Sequence, residues 1–171
     1  MHSETRPQTT LLVDWGDTVM RVLPDYSGPM HLWPSVEVVV GAAETLERLR
    51  SRARIALVTN ALDSDERAVR RALGRAGLEP LFDHVFCARS LDSRKPSAEF
   101  FARALDRLEI RADQAYVIGD DLEVDINGAR AAGLRAVWLN ASNVALGTGC
   151  ASATGWADVE AALDSLGFPA A

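Results

Sequence analysis

Short apolar runs recur along the chain at residues 11–15, 54–58, 84–87, 115–118 and 135–139. Between them, apolar positions return every three to four residues, the spacing that lines one face of a helix. Strand-length runs alternating with helix-length patterns predict a parallel sheet covered by helices on both faces. One helix is predicted over 38–52, where Ala42, Leu46 and Leu49 share a face. A second, over 65–76, opens with acidic residues and closes with Arg75 before Gly77, as the helix dipole and a glycine stop favour. Others are predicted over 97–108, opening at Pro96 or Ser97, over 124–132 ahead of Gly133, and over 157–166 ahead of Gly167. The predicted fold class is α/β: a three-layer α/β/α sandwich whose five-stranded parallel sheet has the first strand at its centre.

Two stretches break the alternation. Residues 19–35 contain Pro24, Gly28, Pro29 and Pro34 and read as an irregular flap or minimal cap. Residues 140–155, NASNVALGTGCASATG, read as a flexible loop. Neither has the length of a domain, so residues 1–171 are read as a single domain.

Composition adds bounds. Of the 171 residues, 48% are hydrophobic and 25% charged, enough apolar material for a sizeable core. The formal net charge of -6 argues against nucleic acid or an anionic membrane as partner. Cys87 and Cys150 lie far apart without metal-ligand spacing, so no disulfide framework is expected. The first ten residues are polar, and no stretch approaches the ~20 apolar residues of a membrane span. The expectation is a soluble, cytoplasmic protein of undetermined oligomeric state.

Ligands of open parallel sheets bind at the carboxyl ends of the strands. There the sequence puts Asp14, then Thr59 and Asn60, then Arg94-Lys95-Pro96, then Gly119-Asp120-Asp121 with Asp125. Phosphoryl transfer uses such a set: carboxylates to hold a divalent cation, one carboxylate to attack phosphorus, a hydroxyl and an ammonium for the phosphate oxygens.

Four segments in this order also carry a resemblance. LLVDWGDTV resembles the first motif of the haloacid dehalogenase (HAD)-like hydrolase superfamily, and LVTNA the second. RKPSAEFF resembles the third and VIGDDLEVDINGARAAG the fourth, so the match spans about residues 10–140. The resemblance implies a Rossmann-like fold and a Mg²⁺-dependent phosphatase of small phosphorylated substrates. It makes Asp14 the nucleophile of an aspartyl-phosphate and Lys95 its charge-neutralising partner. Thr59, with the backbone of Asn60, would bind the phosphoryl group, and Asp14, Gly16 (through its carbonyl), Asp120 and Asp125 would hold the metal.

The first motif departs from the family pattern. Members of the family with phosphatase activity usually carry a second Asp two residues after the nucleophile as acid/base; here that residue is Gly16. Asp17 follows one place later, but one residue turns a side chain through about 100° on a helical turn. His31 is a second candidate replacement, although a lone loop histidine beside tryptophan is commonly a packing residue. Trp15 and Trp33 are expected to wall the site entrance, with ordinary core packing the alternative for Trp33. Three functions remain open: a phosphatase with altered acid/base chemistry, a catalytically impaired phosphometabolite-binding or regulatory protein, and a dehalogenase or phosphonatase. The last two activities use a helical cap, and the 44 residues between Asp14 and Thr59 (positions 15 to 58) leave no room for a full one.

Overall fold

The computed structural model describes residues 9–144 and 150–170. Its sheet has six strands: β1 (Thr10–Val13), β2 (Arg54–Thr59), β3 (His84–Cys87), β4 (Ala115–Gly119), β5 (Arg135–Leu139) and β6 (Ala151–Ala153). Their order is β3-β2-β1-β4-β5-β6, every pairing is parallel, and β1 lies inside. The α/β class and three layers hold, while the five-strand expectation is corrected to six. β6 falls in the predicted loop 140–155. It is three small residues with no apolar run, and it exists because β5 offers a free edge to pair with. Residues 145–149 of that loop lie outside the described residues.

Alternation along the strands builds the layers. Leu11 and Val13 of β1 face one cluster with Ile55, Leu57 and Val85. Helices α1 (Ala42–Leu49), α2 (Glu66–Arg75) and α6 (Trp156–Ser165) close it with Leu46, Val69, Leu73, Val159 and Leu163. Leu12, Ala56, Val58 and Val117 face the other cluster. There α4 (Ala98–Leu108) contributes Phe100, Phe101, Ala104 and Leu105, behind the short α3 (Ala88–Leu91) and α5 (Gly128–Ala131). A fully buried side chain of this size contributes about 1.5–3 kcal/mol, so the sheet is pinned from both sides.

Two helix predictions shift for local reasons. The helix predicted from residue 38 begins only at Ala42, because the β-branched Val38 pairs with Met20 and the chain then turns at Val40 and Gly41, where the Ala42 N–H donates to the Val39 carbonyl. Gly41, at φ 81, then makes the turn into α1. Over 124–132 the chain instead forms a π-helical stretch, Leu122–Asn127, before α5. No helix among the described residues is long and apolar enough to cross a membrane.

Segment 19–35 divides. Its first residues pair beside the end of β1 through the Gly16–Met20 and Met20–Val38 bridges. The remainder drapes along α2, where Arg75 donates to the carbonyls of His31 and Trp33 at 3.0 and 2.6 Å. Trp15 and Trp33 are core residues rather than an entrance wall, at 4% and 8% exposure. The Trp15 Nε1 lies 3.2 Å from Met20 Sδ, and the Trp33 indole donates to the carbonyls of Ser27 and Gly28.

Candidate active site

β1 ends one residue before Asp14, whose backbone N–H still reaches the Ile118 carbonyl of β4 at 2.9 Å. That bond holds the Asp14 carboxylate above the middle of the sheet. Lys95, on the loop after α3, turns back under it and is 2% exposed. Its ammonium donates to Asp14 Oδ1 at 2.5 Å, to Asp125 Oδ1 at 2.6 Å and to the Val58 carbonyl at 3.1 Å. All three N–H bonds are used, which is what makes an ammonium tolerable at that depth.

The Lys95 backbone is held in turn. Asn60, just past β2, donates Nδ2 to the Lys95 carbonyl and accepts the Lys95 N–H at Oδ1, both at 2.8 Å. The Asn60 side chain is therefore a clamp on the lysine loop, a role the motif reading missed. Thr59 is 5% exposed; its Oγ1 accepts the Ala61 N–H at 3.1 Å, which leaves the hydroxyl proton to be donated. From the other side, α5 packs on the peptide after Lys95: a Cβ on Gly128 would lie 2.8 Å from the Pro96 carbonyl oxygen.

Asp120 and Asp125 arrive from the end of β4. Asp121 caps the π-helical stretch by accepting the N–H groups of Glu123 and Val124. The wider π turn points Asp125 inward, as such turns commonly do at functional sites. Its Oδ2 accepts the Asp121 N–H at 3.2 Å, while Oδ1 meets Lys95. Room for that carboxylate comes from Gly119, where any Cβ would collide with Asp125. Thr18, fully buried, sets its hydroxyl 2.9 Å from Asp120 Oδ1 and 3.2 Å from Asp14 Oδ2. Its carbonyl is tied down by the Trp156 indole at 2.7 Å. The Trp138 indole likewise donates to the Asp120 carbonyl at 2.8 Å. Thr18 was legible only as part of a motif; the two indoles carried no sequence signal.

One oxygen from each of Asp14, Asp120 and Asp125 lies within 4.8 Å of the others. Hard carboxylate oxygens so placed fit Mg²⁺, which takes oxygen ligands and is held by few carboxylates. Among the described residues the Gly16 carbonyl accepts no hydrogen bond and so remains available as a further oxygen donor. Charge agrees: three carboxylates and one ammonium leave a formal minus two, which a divalent cation cancels. Burial, then the Asp14 charge, push the Asp125 carboxyl up to about 7, against the pull of Lys95. Burial and the Asp14 charge also raise Asp120. Burial alone would lower Lys95, but the charges of Asp14 and Asp125 outweigh it and raise the ammonium.

The two proposed replacements for the second acid lie apart: Asp17 borders the cleft beside Asp120 and is near enough for its charge to help raise that carboxyl, whereas His31 is remote. Asp17 sits at φ 54, is exposed, and spends Oδ1 on the Val22 N–H at 3.0 Å. His31 is bound to the Arg75 end of α2. That helix runs antiparallel to the strands, so Arg75 lies toward their amino ends, roughly 15 Å of helix away from the site. What fills the space beside Gly16 is apolar: a Cβ there would meet Val22 Cγ2 at 2.9 Å.

A haloacid dehalogenase-like hydrolase model matches residues 6–133. The chain belongs to this family. HAD-like relatives include the ribulose-1,5-bisphosphate 5-phosphatase of Halopiger xanaduensis, 38% identical over 108 residues, which cover 63% of this chain and 44% of that protein. The putative HAD-hydrolase YfnB of Bacillus subtilis is 29% identical over 133 residues, 77% of this chain and 55% of that one. The chain spans about half the length of these curated relatives. Among solved structures, an uncharacterized protein from Listeria monocytogenes serotype 4b superposes with a TM-score of 0.83 at 28% identity, covering 93% of this chain and 98% of that one.

Proposed function

We propose that this HAD-like hydrolase is a Mg²⁺-dependent phosphatase of small phosphorylated molecules, with Asp14 as nucleophile and with weakened acid catalysis. The observation that carries the reading is the buried Lys95 ammonium bridging Asp14 and Asp125 beside Asp120. The phosphatase relative from Halopiger supports the substrate class.

In this reading Asp14, Asp120, Asp125 and the Gly16 carbonyl would hold Mg²⁺, which when bound would supply screening of the phosphate charge against the anionic nucleophile. An Asp14 oxygen attacks phosphorus in line, forming the O–P bond of an aspartyl-phosphate while the bond to the leaving oxygen breaks. Lys95 neutralises charge between nucleophile and phosphate, and the Thr59 hydroxyl donates to a phosphoryl oxygen. Asn60 keeps the lysine loop in place through its two bonds to Lys95. Water then attacks phosphorus of the intermediate, releasing phosphate and restoring the Asp14 carboxylate. With a Val22 methyl beside Gly16 in place of a carboxyl, the leaving oxygen departs without an enzymic proton. Acyl and aryl phosphates, whose leaving groups tolerate this, are the favoured substrates. Purified protein is expected to release phosphate from acetyl phosphate and p-nitrophenyl phosphate only with Mg²⁺, and Asp14→Asn to abolish it; metal-independent release, or release unaffected by Asp14→Asn, overturns the reading.

The Val22 methyl beside Gly16 also favours a second reading, a phosphometabolite-binding protein without turnover. Calorimetry detecting phosphate binding, beside a sensitive phosphate-release assay that stays flat, would establish it. Asp14-dependent phosphate release would exclude it.

A further inference from the structure

A cleft of about 640 Å³ opens beside Asp120, between the flap and the carboxyl ends of β5 and β6. Its size lies within the ~300–1,000 Å³ of small-ligand pockets. Val22, Val40 and Val144 line it, three of the five large hydrophobic side chains that stand exposed among the described residues. Exposed apolar groups gathered at one opening mark a binding surface rather than chance scatter. The Trp138 ring, fixed by its bond to the Asp120 carbonyl, forms the back wall.

Most polar groups around the cleft are already satisfied. The Asn140 amide is spent on both backbone groups of Val144, and the Thr154 hydroxyl on Asp158. The Asp17 carboxylate accepts the Val22 N–H. The Arg21 guanidinium has no hydrogen bond or ion pair among the described residues, yet it lines the same cleft. The cleft also lies on the reacting side: the Cβ direction of Gly16 leads to Val22 in its wall.

We propose that this cleft is the leaving-group subsite, and that it takes a phosphorylated molecule whose leaving group joins an apolar body to an oxyanion paired with Arg21. The inference rests on the phosphatase reading, which gives the phosphate its place above Asp14. A free guanidinium forks onto either a carboxylate or a second phosphate, and the valines and Trp138 pack the body between.

Non-hydrolysable probes separate this from turnover. The Mg²⁺-loaded full chain is titrated calorimetrically with benzylphosphonate, para-(phosphonomethyl)benzoate and para-xylylene bisphosphonate. At least one probe with the second oxyanion is expected to bind about tenfold tighter than benzylphosphonate, as one charge-assisted pair allows. The tighter of the two names the oxyanion. Arg21→Ala is expected to bring that ratio close to one, and Arg67→Ala, on α2, to leave it. A ratio near one in the native protein, a ratio that survives Arg21→Ala, or no binding by any probe overturns the proposal. Failure of the phosphatase reading appears elsewhere, as absent turnover of p-nitrophenyl phosphate.

Discussion

Under the proposed reading, restoring a carboxyl at position 16 is expected to create a proton donor for the leaving oxygen. The double variant Gly16→Asp/Val22→Ala makes the change with little strain. Gly16 is not in a left-handed conformation, so a side chain suits its backbone. The obstacle is the 2.9 Å approach of a new Cβ to Val22 Cγ2, and Val22 is 49% exposed. Forcing that methyl off its rotamer would cost about 1 kcal/mol, and Val22→Ala removes the contact. A positioned general acid is worth about 10² to 10⁴-fold, or roughly 3–5 kcal/mol of barrier. A grafted carboxyl without tuned surroundings is expected at the low end, about 100-fold, in kcat/KM for an alkyl ester such as glycerol phosphate. p-Nitrophenyl phosphate, whose leaving group needs no proton, is expected to change far less. The assay is the ratio of the two kcat/KM values in the native and double-variant proteins. An unchanged ratio would refute the assignment of the missing acid to position 16.

Other expectations follow from the same contacts. Lys95→Met leaves Asp14 and Asp125 buried without their ammonium, and is expected to cost about 3–5 kcal/mol in urea unfolding without metal, with Mg²⁺ recovering part of it; a cost below about 1 kcal/mol would show the ion pairs to be idle. Gly119→Ala pushes a methyl into the Asp125 carboxylate. It is expected to weaken Mg²⁺ binding about 10–100-fold by titration, as loss of support for a metal ligand does, and unchanged affinity would contradict the packing. The raised carboxyl of Asp125, about 7 against 3.8, makes the native protein hold a proton that the unfolded chain has lost. Its contribution to stability is therefore present at low pH and lost as pH rises from about 4 to about 7 without metal. Mg²⁺ displaces that proton, so the Mg²⁺-induced rise in Tm is expected to be larger at about pH 8 than at about pH 5; equal shifts would refute it.

The sequence made the α/β layering legible because five of the strands are apolar runs buried on both faces. β6 was not, since Ala151–Ala153 has no hydrophobic signature and depends on the edge of β5. Asp14, Lys95, Asp120 and Asp125 were readable as residues at strand ends, and they do converge. The supporting contacts were not readable. The Asn60 clamp, the two indole bonds and the room left by Gly128 are long-range contacts with no local pattern, and the room left by Gly119 depends on the π turn that swings Asp125 inward. The fate of Gly16 turned on Val22, six residues on, whose methyl carries no motif. His31 failed as a candidate because Arg75 draws its segment along α2, and proximity in sequence to the first motif says nothing of that.

The central claim is that Asp14 carries the phosphoryl group. Rapid acid quench of the Mg²⁺-loaded protein with acetyl phosphate, followed by borohydride trapping and peptide mass spectrometry, tests it directly. Reduction of an acyl-phosphate at Asp14, converting it to homoserine, is the predicted result, absent without Mg²⁺. Phosphate release at an undiminished rate with Asp14 unmodified, or a label on any other residue, would contradict the account.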